Sequence, residues 1–211
     1  MKRSLFCIPL LGLAPLGYVL GSYLSGLGTI SWHAGYIIAS LSMFVVPLLV
    51  SIVFVMFCKT GWIGRTILFV VVLFIQEGVF LLPIVPSRAT AELMGIAQRL
   101  RREFSPDQLR DCADQLRTKF HAGTLKLGNR GDGRDYFPVM DSTVVVEDAE
   151  LPGSLRGRFQ RTFILTDPSI SNQLVIFALD HETGIICGNL VPVPDWAYPI
   201  ADGVEAYQDH P

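Results

Sequence analysis

An ionisable side chain inside a long apolar run is costly to bury. It therefore marks a place where something faces it: a partner, a cavity or a proton path. Glu77 is such a residue, set within the apolar run 63–85 with Gln76 beside it. Consecutive helical residues lie about 100° apart, so these two point to different faces. Ser40, Ser42 and Ser51 on the preceding apolar run are its candidate partners. Two chemistries are open to Glu77: ion or proton conduction, or a hydrogen bond holding helices or subunits together. The second is the expectation.

Outside the apolar runs, Arg156, Arg158 and Arg161 lie close to Gly153 and Gly157. Guanidinium groups on a glycine-rich loop suit an anion or lipid head groups, although the same composition also makes an ordinary solvated loop. Cys7, Cys58, Cys112 and Cys187 are far apart in sequence and form no C-x-x-C, so neither zinc nor a redox motif is signalled. Cys112 and Cys187 would bridge only if their elements pack together in an oxidising compartment; buried free thiols are expected. His181-Glu182 does not begin a zinc H-E-x-x-H, because Ile185 occupies the second histidine's place. His121, His181 and His210 read as helix-end, turn and tail residues. Ser154 lacks a nucleophile-elbow setting. Arg130-Gly131-Asp132 is too short a match to assign a role, and Asn129, Asp132 and Asp135 lack calcium-loop spacing. No metal or cofactor is expected.

The elements that must carry these residues follow from the charge distribution. The chain has 211 residues, 17 basic and 19 acidic, for a net charge of -2. Only Lys2, Arg3, Lys59, Arg65 and Glu77 precede Ser87. The near-neutral balance excludes a dominant basic field and argues against nucleic acid. Residues 1–86 read as a transmembrane region with spans at about 5–24, 35–57 and 63–85. Each of the last two is long enough to cross a hydrocarbon core of about 30 Å. Pro47 predicts a kink in its span. The first run is interrupted by Pro9, Gly12, Pro15, Gly17 and Gly21, and its basic start also fits a cleaved signal peptide with a site near Val19-Leu20-Gly21. An uncleaved span is the expectation. Lys2, Arg3, Lys59 and Arg65 favour a cytoplasmic N-terminus and second loop, whereas Arg88, Arg99, Arg101 and Arg102 pull the other way. The leading helix usually dominates, so residues 87 onward are expected outside the cytoplasm. Trp32, Tyr36 and Trp62 fall at span boundaries, as interfacial aromatics should.

Residues 87–191 read as a soluble α+β domain, two helices packed on an antiparallel sheet. Ser87 can cap a helix whose apolar stripe is Leu93, Ile96, Ala97, Leu100 and Phe104. Ser105-Pro106-Asp107-Gln108 restarts a helix, with serine as cap, proline first and glutamine reaching back. Its stripe is Leu109, Cys112, Ala113, Leu116 and Phe120, and Gly123 stops it. Runs 142–147, 161–166, 173–179 and 184–191 read as strands, the last two joined by a hairpin turn at 180–183. Residues 174–179, apolar on both faces, belong at the sheet centre. Residues 192–211, with three prolines, read as an extended or disordered tail.

These features imply an integral membrane protein of the cell (plasma or inner) membrane, non-catalytic, with an extracytoplasmic interaction or sensing module. Its partners would be the lipid bilayer and, through the spans, other membrane proteins or copies of itself. Two alternatives stand beside it: a transport or channel subunit that uses Glu77, and a small enzyme with a site built from the arginines and the hairpin turn.

Overall fold

In a computed structural model, the described residues are 12–57, 59–80, 82, 85–128, 143–166, 173–180, 182–188, 194 and 196–208. Three apolar helices come first: α1 (Leu13–Gly26), α2 (Trp32–Phe57) and α3 (Trp62–Phe80). The chain divides into two units, Met1–Gly95 and Ile96–Pro211. The break falls inside α4 (Arg88–Glu103), later than the expected change at 86/87.

In the first unit, α2 and α3 are long and apolar enough to cross a bilayer. α3 is described to Phe80, and of the expected remainder to Val85, residues 81, 83 and 84 lie outside the described residues. Leu82, just before Pro83, is not helical, as the residue before a proline usually is not. Of the first apolar run, residues 5–11 lie outside the described residues, and the helix there begins at Leu13. Pro15 sits in its first turn, where a missing N–H is tolerated. The glycines that look like interruptions form the packing face. A Cβ at Gly17 would collide with Ser42 Oγ, one at Gly21 would lie 2.8 Å from Ile38 Cγ2, and one at Gly35 would lie 2.9 Å from the Gly21 carbonyl. Small residues let two helix backbones approach closely, and here they seat α1 on α2.

The start of α4 closes onto the same end of this bundle. Ser87 Oγ accepts the Thr90 N–H at 3.1 Å, the expected cap. A Cβ at Gly95 would come within 2.7 Å of Leu27 N, so the helix reaches the α1–α2 turn only because that position is glycine. The Arg88 guanidinium lies 5.1 Å from the Trp32 ring centre and 4.6 Å from that of Tyr36, rings that stack on each other.

In the second unit, α5 (Pro106–His121) packs on a six-stranded antiparallel sheet of order β1-β2-β3-β4-β6-β5. The strands are β1 (Thr143–Val146), β2 (Arg161–Leu165), β3 (Val175–Ala178), β4 (Thr183–Cys187), β5 (Ala197–Ala201) and β6 (Val204–Gln208). The first four fall on the expected runs, and β3 is central. Ser105 takes the cap position of α5 with Pro106 behind it, but its side chain makes no capping bond. The β3–β4 turn is held by Asp180, whose carboxylate accepts the N–H groups of Glu182 and Thr183 at 2.9 and 2.6 Å.

The expected loose tail is corrected. Residues 197–208 form a hairpin, and β6 inserts beside β4 with Ile186 opposite Glu205. Two features conceal it in sequence. Pro199 argues against a strand, yet β5 is a sheet edge, where a missing donor is harmless. The turn relies on Gly203 at φ 65°, a left-handed position. The core on one sheet face gathers Phe163, Leu165, Ile176, Ala178, Ile186 and Tyr207. The Tyr207 ring covers Gly184, where any Cβ would strike it.

Candidate functional site

The polar group that joins the apolar helices is Gln76 and not Glu77. Gln76 is 0% exposed; its Nε2 donates to the Pro47 carbonyl at 3.1 Å and to Ser51 Oγ at 3.4 Å. Ser51 Oγ donates to the same carbonyl at 2.8 Å. These donors meet the chain at the helix-interior proline, and α2 continues through it. Gln76 Oε1, also buried, has no hydrogen-bond partner among the described residues. The contact sets Gln76 level with Pro47. Pro47 lies about 22 Å along an α2 that is roughly 39 Å long, at about 1.5 Å per residue. Gln76 and its neighbour Glu77 therefore sit near the middle of α2. Glu77 is half-buried and makes no hydrogen bond or ion pair among the described residues. Of its candidate partners, Ser51 is bonded to Gln76 and Pro47, and Ser42 lies against Gly17.

The three arginines have separate engagements. Arg156 Nη2 donates to the carbonyls of Ala149 and Leu151, at 2.8 and 3.2 Å, and so ties its own loop together. The Arg158 guanidinium lies 4.7 Å from the ring centre of Phe104, which stacks on Phe159. Arg161 opens β2 and lines a cleft of about 260 Å³ together with Glu147, Asp148, Gln160 and Thr162. Two acids on that cleft oppose the simple anion site that the sequence suggests. Asp148 is already occupied, accepting the Gly157 N–H at 3.0 Å where the chain turns at φ 70°.

Sequence reasoning passes over two residues that the fold makes prominent. Arg117 on α5 donates from Nε to the Gln173 carbonyl and from Nη2 to the Cys187 carbonyl, both at 2.6 Å, while Nη1 meets Asp114 at 2.5 Å. It bolts the helix to the strand ends; an arginine on the polar flank of a helix gives no hint of this in sequence. Glu205 in β6 is 5% exposed and its Oε2 has no partner among the described residues. Burial pushes its carboxyl up to about 7. Apolar Val204 and Ala206 on either side of it are a weak signal of a strand.

Cys112 and Cys187 are free and buried, as expected. Burial pushes the Cys112 thiol up to about 11 and the Cys187 thiol up to about 12, far from a reactive thiolate. Cys7, Cys58, His181, His210 and the segment 129–135 lie outside the described residues. Among the described residues, no group of three His, Cys, Asp or Glu side chains could hold a metal ion. Against known proteins, the chain matches no family model, no curated protein and no solved structure.

Proposed function

We propose that this chain is an integral protein of the cell membrane whose α+β unit works as a non-catalytic interaction or sensing module outside the cytoplasm. The observation that carries the reading is the outward face of α2 and α3. Phe44, Leu48, Leu49, Met56, Ile63, Ile67 and Phe74 all project from the protein without cover, an arrangement that suits hydrocarbon and not water. The end-to-end geometry supports the sidedness. The α1–α2 turn and the start of α4 share one end of the bundle, as crossings by α2 and α3 require. Lys59 and Arg65 occupy the other end, where the positive-inside rule puts the cytoplasm. Trp32, Tyr36 and Arg88 form an aromatic and cationic cluster of the kind found at lipid head-group depth.

Alkaline carbonate washing of membranes tests the anchoring: the intact chain is expected in the pellet, and its release would overturn the reading. A phosphatase reporter fused after Pro211 is expected to be active, and an inactive fusion would reverse the sidedness. Turnover of any substrate by the purified full chain would overturn the non-catalytic role.

A second reading, a transport or channel subunit, is favoured by one observation: Glu77, level with the middle of α2, has no partner among the described residues. Proton flux into vesicles holding the wild-type chain, absent with Glu77→Gln at equal assembly, would establish it.

A further inference from the structure

We infer that α3 pairs with α3 of a second copy of this chain, with the two Glu77 carboxyl groups meeting at the interface. The inference rests on the membrane reading above. α3 touches α2 through the face that carries Val72 and Gln76, both buried. At about 100° per residue, Ile63, Ile67, Val70, Phe74 and Glu77 fall within one narrow stripe on the opposite side of the helix. The apolar members of that stripe are 70, 59, 42 and 73% exposed, in that order. Their spacing of four, three, four and three is the repeat of a left-handed helix pair.

An apolar stripe alone would be satisfied by lipid. Glu77 would not be. It lies at the depth of Pro47, where lipid offers neither donor nor acceptor, and it has no partner among the described residues of its own chain. A carboxyl group carries a donor and an acceptor on the same atoms, so its own copy complements it. A two-fold axis along the membrane normal places each residue of α3 opposite its counterpart, which brings carboxyl to carboxyl. The ionisable side chains of α2, His33 and Tyr36, both lie near its start and far from this depth.

The test is Förster transfer between donor- and acceptor-labelled full chains in phosphatidylcholine vesicles, diluted with lipid, after carbonate washing has shown each variant to be membrane-held. Wild type and Glu77→Gln are expected to associate alike, because paired amides replace paired carboxyls. Glu77→Leu is expected to associate about 5- to 20-fold more weakly. Phe74→Ala, on the same stripe, weakens it as well, and Ile75→Ala, off the stripe, leaves it unchanged. Absence of transfer in the membrane-held wild type overturns the pairing while leaving the anchoring intact. Loss of association in Glu77→Gln equal to that in Glu77→Leu overturns it in favour of a basic partner. Release of the wild type by carbonate overturns the membrane reading itself.

Discussion

Replacing Glu205 with glutamine should remove a pH dependence that this one carboxyl builds into the α+β unit. Glu205 is enclosed between Ile186 of β4 and Pro199 of β5 in the sheet register, and its Oε2 has no hydrogen-bond partner among the described residues. Burial raises its carboxyl from 4.5 to about 7. The folded state therefore holds this proton more tightly than the unfolded chain does. The stability it contributes is fully present below about 4.5 and is lost as pH rises through about 7. A rise of this size corresponds to roughly 3 kcal/mol between those limits, at about 1.4 kcal/mol per pH unit. Glu150 works in the opposite sense. Its hydrogen bond from Lys119, at 2.8 Å, lowers its carboxyl below 4.5, so its contribution fails only at acid pH, outside this window. The assay is urea unfolding of the full chain in detergent, followed by Trp196, which packs on the sheet core, with Trp32 and Trp62 changed to phenylalanine. Wild type should lose roughly 3 kcal/mol from pH 4.5 to 8, and Glu205→Gln should lose far less. Parallel stability curves for the two proteins would refute the argument.

Three further outcomes follow from the same geometry. Arg117→Ala strands the carbonyls of Gln173 and Cys187 and should cost about 3 kcal/mol in the urea assay. Arg117→Lys should recover only part of it, since a lone ammonium cannot span both carbonyls as the fork does. Gln76→Leu should change stability in mixed-micelle unfolding by less than about 1 kcal/mol, because the lost hydrogen bonds leave together with the unpaired Oε1. A loss above about 2 kcal/mol would show that Oε1 is bonded in the membrane. Gly35→Leu should drive α1 from α2, an overpacking of at least about 2 kcal/mol, read as new protease sensitivity in residues 13–26.

Elements with a strong local cause were legible in sequence. α2 follows from an uninterrupted apolar run, α5 from its proline start, and the β3–β4 hairpin from Asp180 and the branched residues around it. What stayed hidden depends on partners distant in the chain. The β5–β6 hairpin was masked by Pro199, whose tolerance depends on strand order and not on local propensity. Periodicity separates Gln76 from Glu77 by about 100° but does not say which of the two faces α2. That choice is made by Pro47 and Ser51, more than twenty residues away. Glu205 sits beside Asp202 and Gly203 in sequence and looks solvated, whereas insertion between β4 and β5 buries it.

The glycines of α1 bear on the fate of the first apolar run. A signal peptide needs an apolar stretch and a cleavage site; it does not need a helix face matched to the next helix. Gly17, Gly21 and Ser25 form such a face, and Gly35, Ala39 and Ser42 are its counterpart on α2. Cleavage near Val19-Leu20-Gly21 would cut α1 in its middle and expose the small-residue face of α2, where backbone polar groups lie close to the surface. It would also strip the α1–α2 turn of the helix that supports it, and Gly95 of α4 packs on that turn. α1 thus packs along its small-residue face on α2, and its end carries Gly95 of α4.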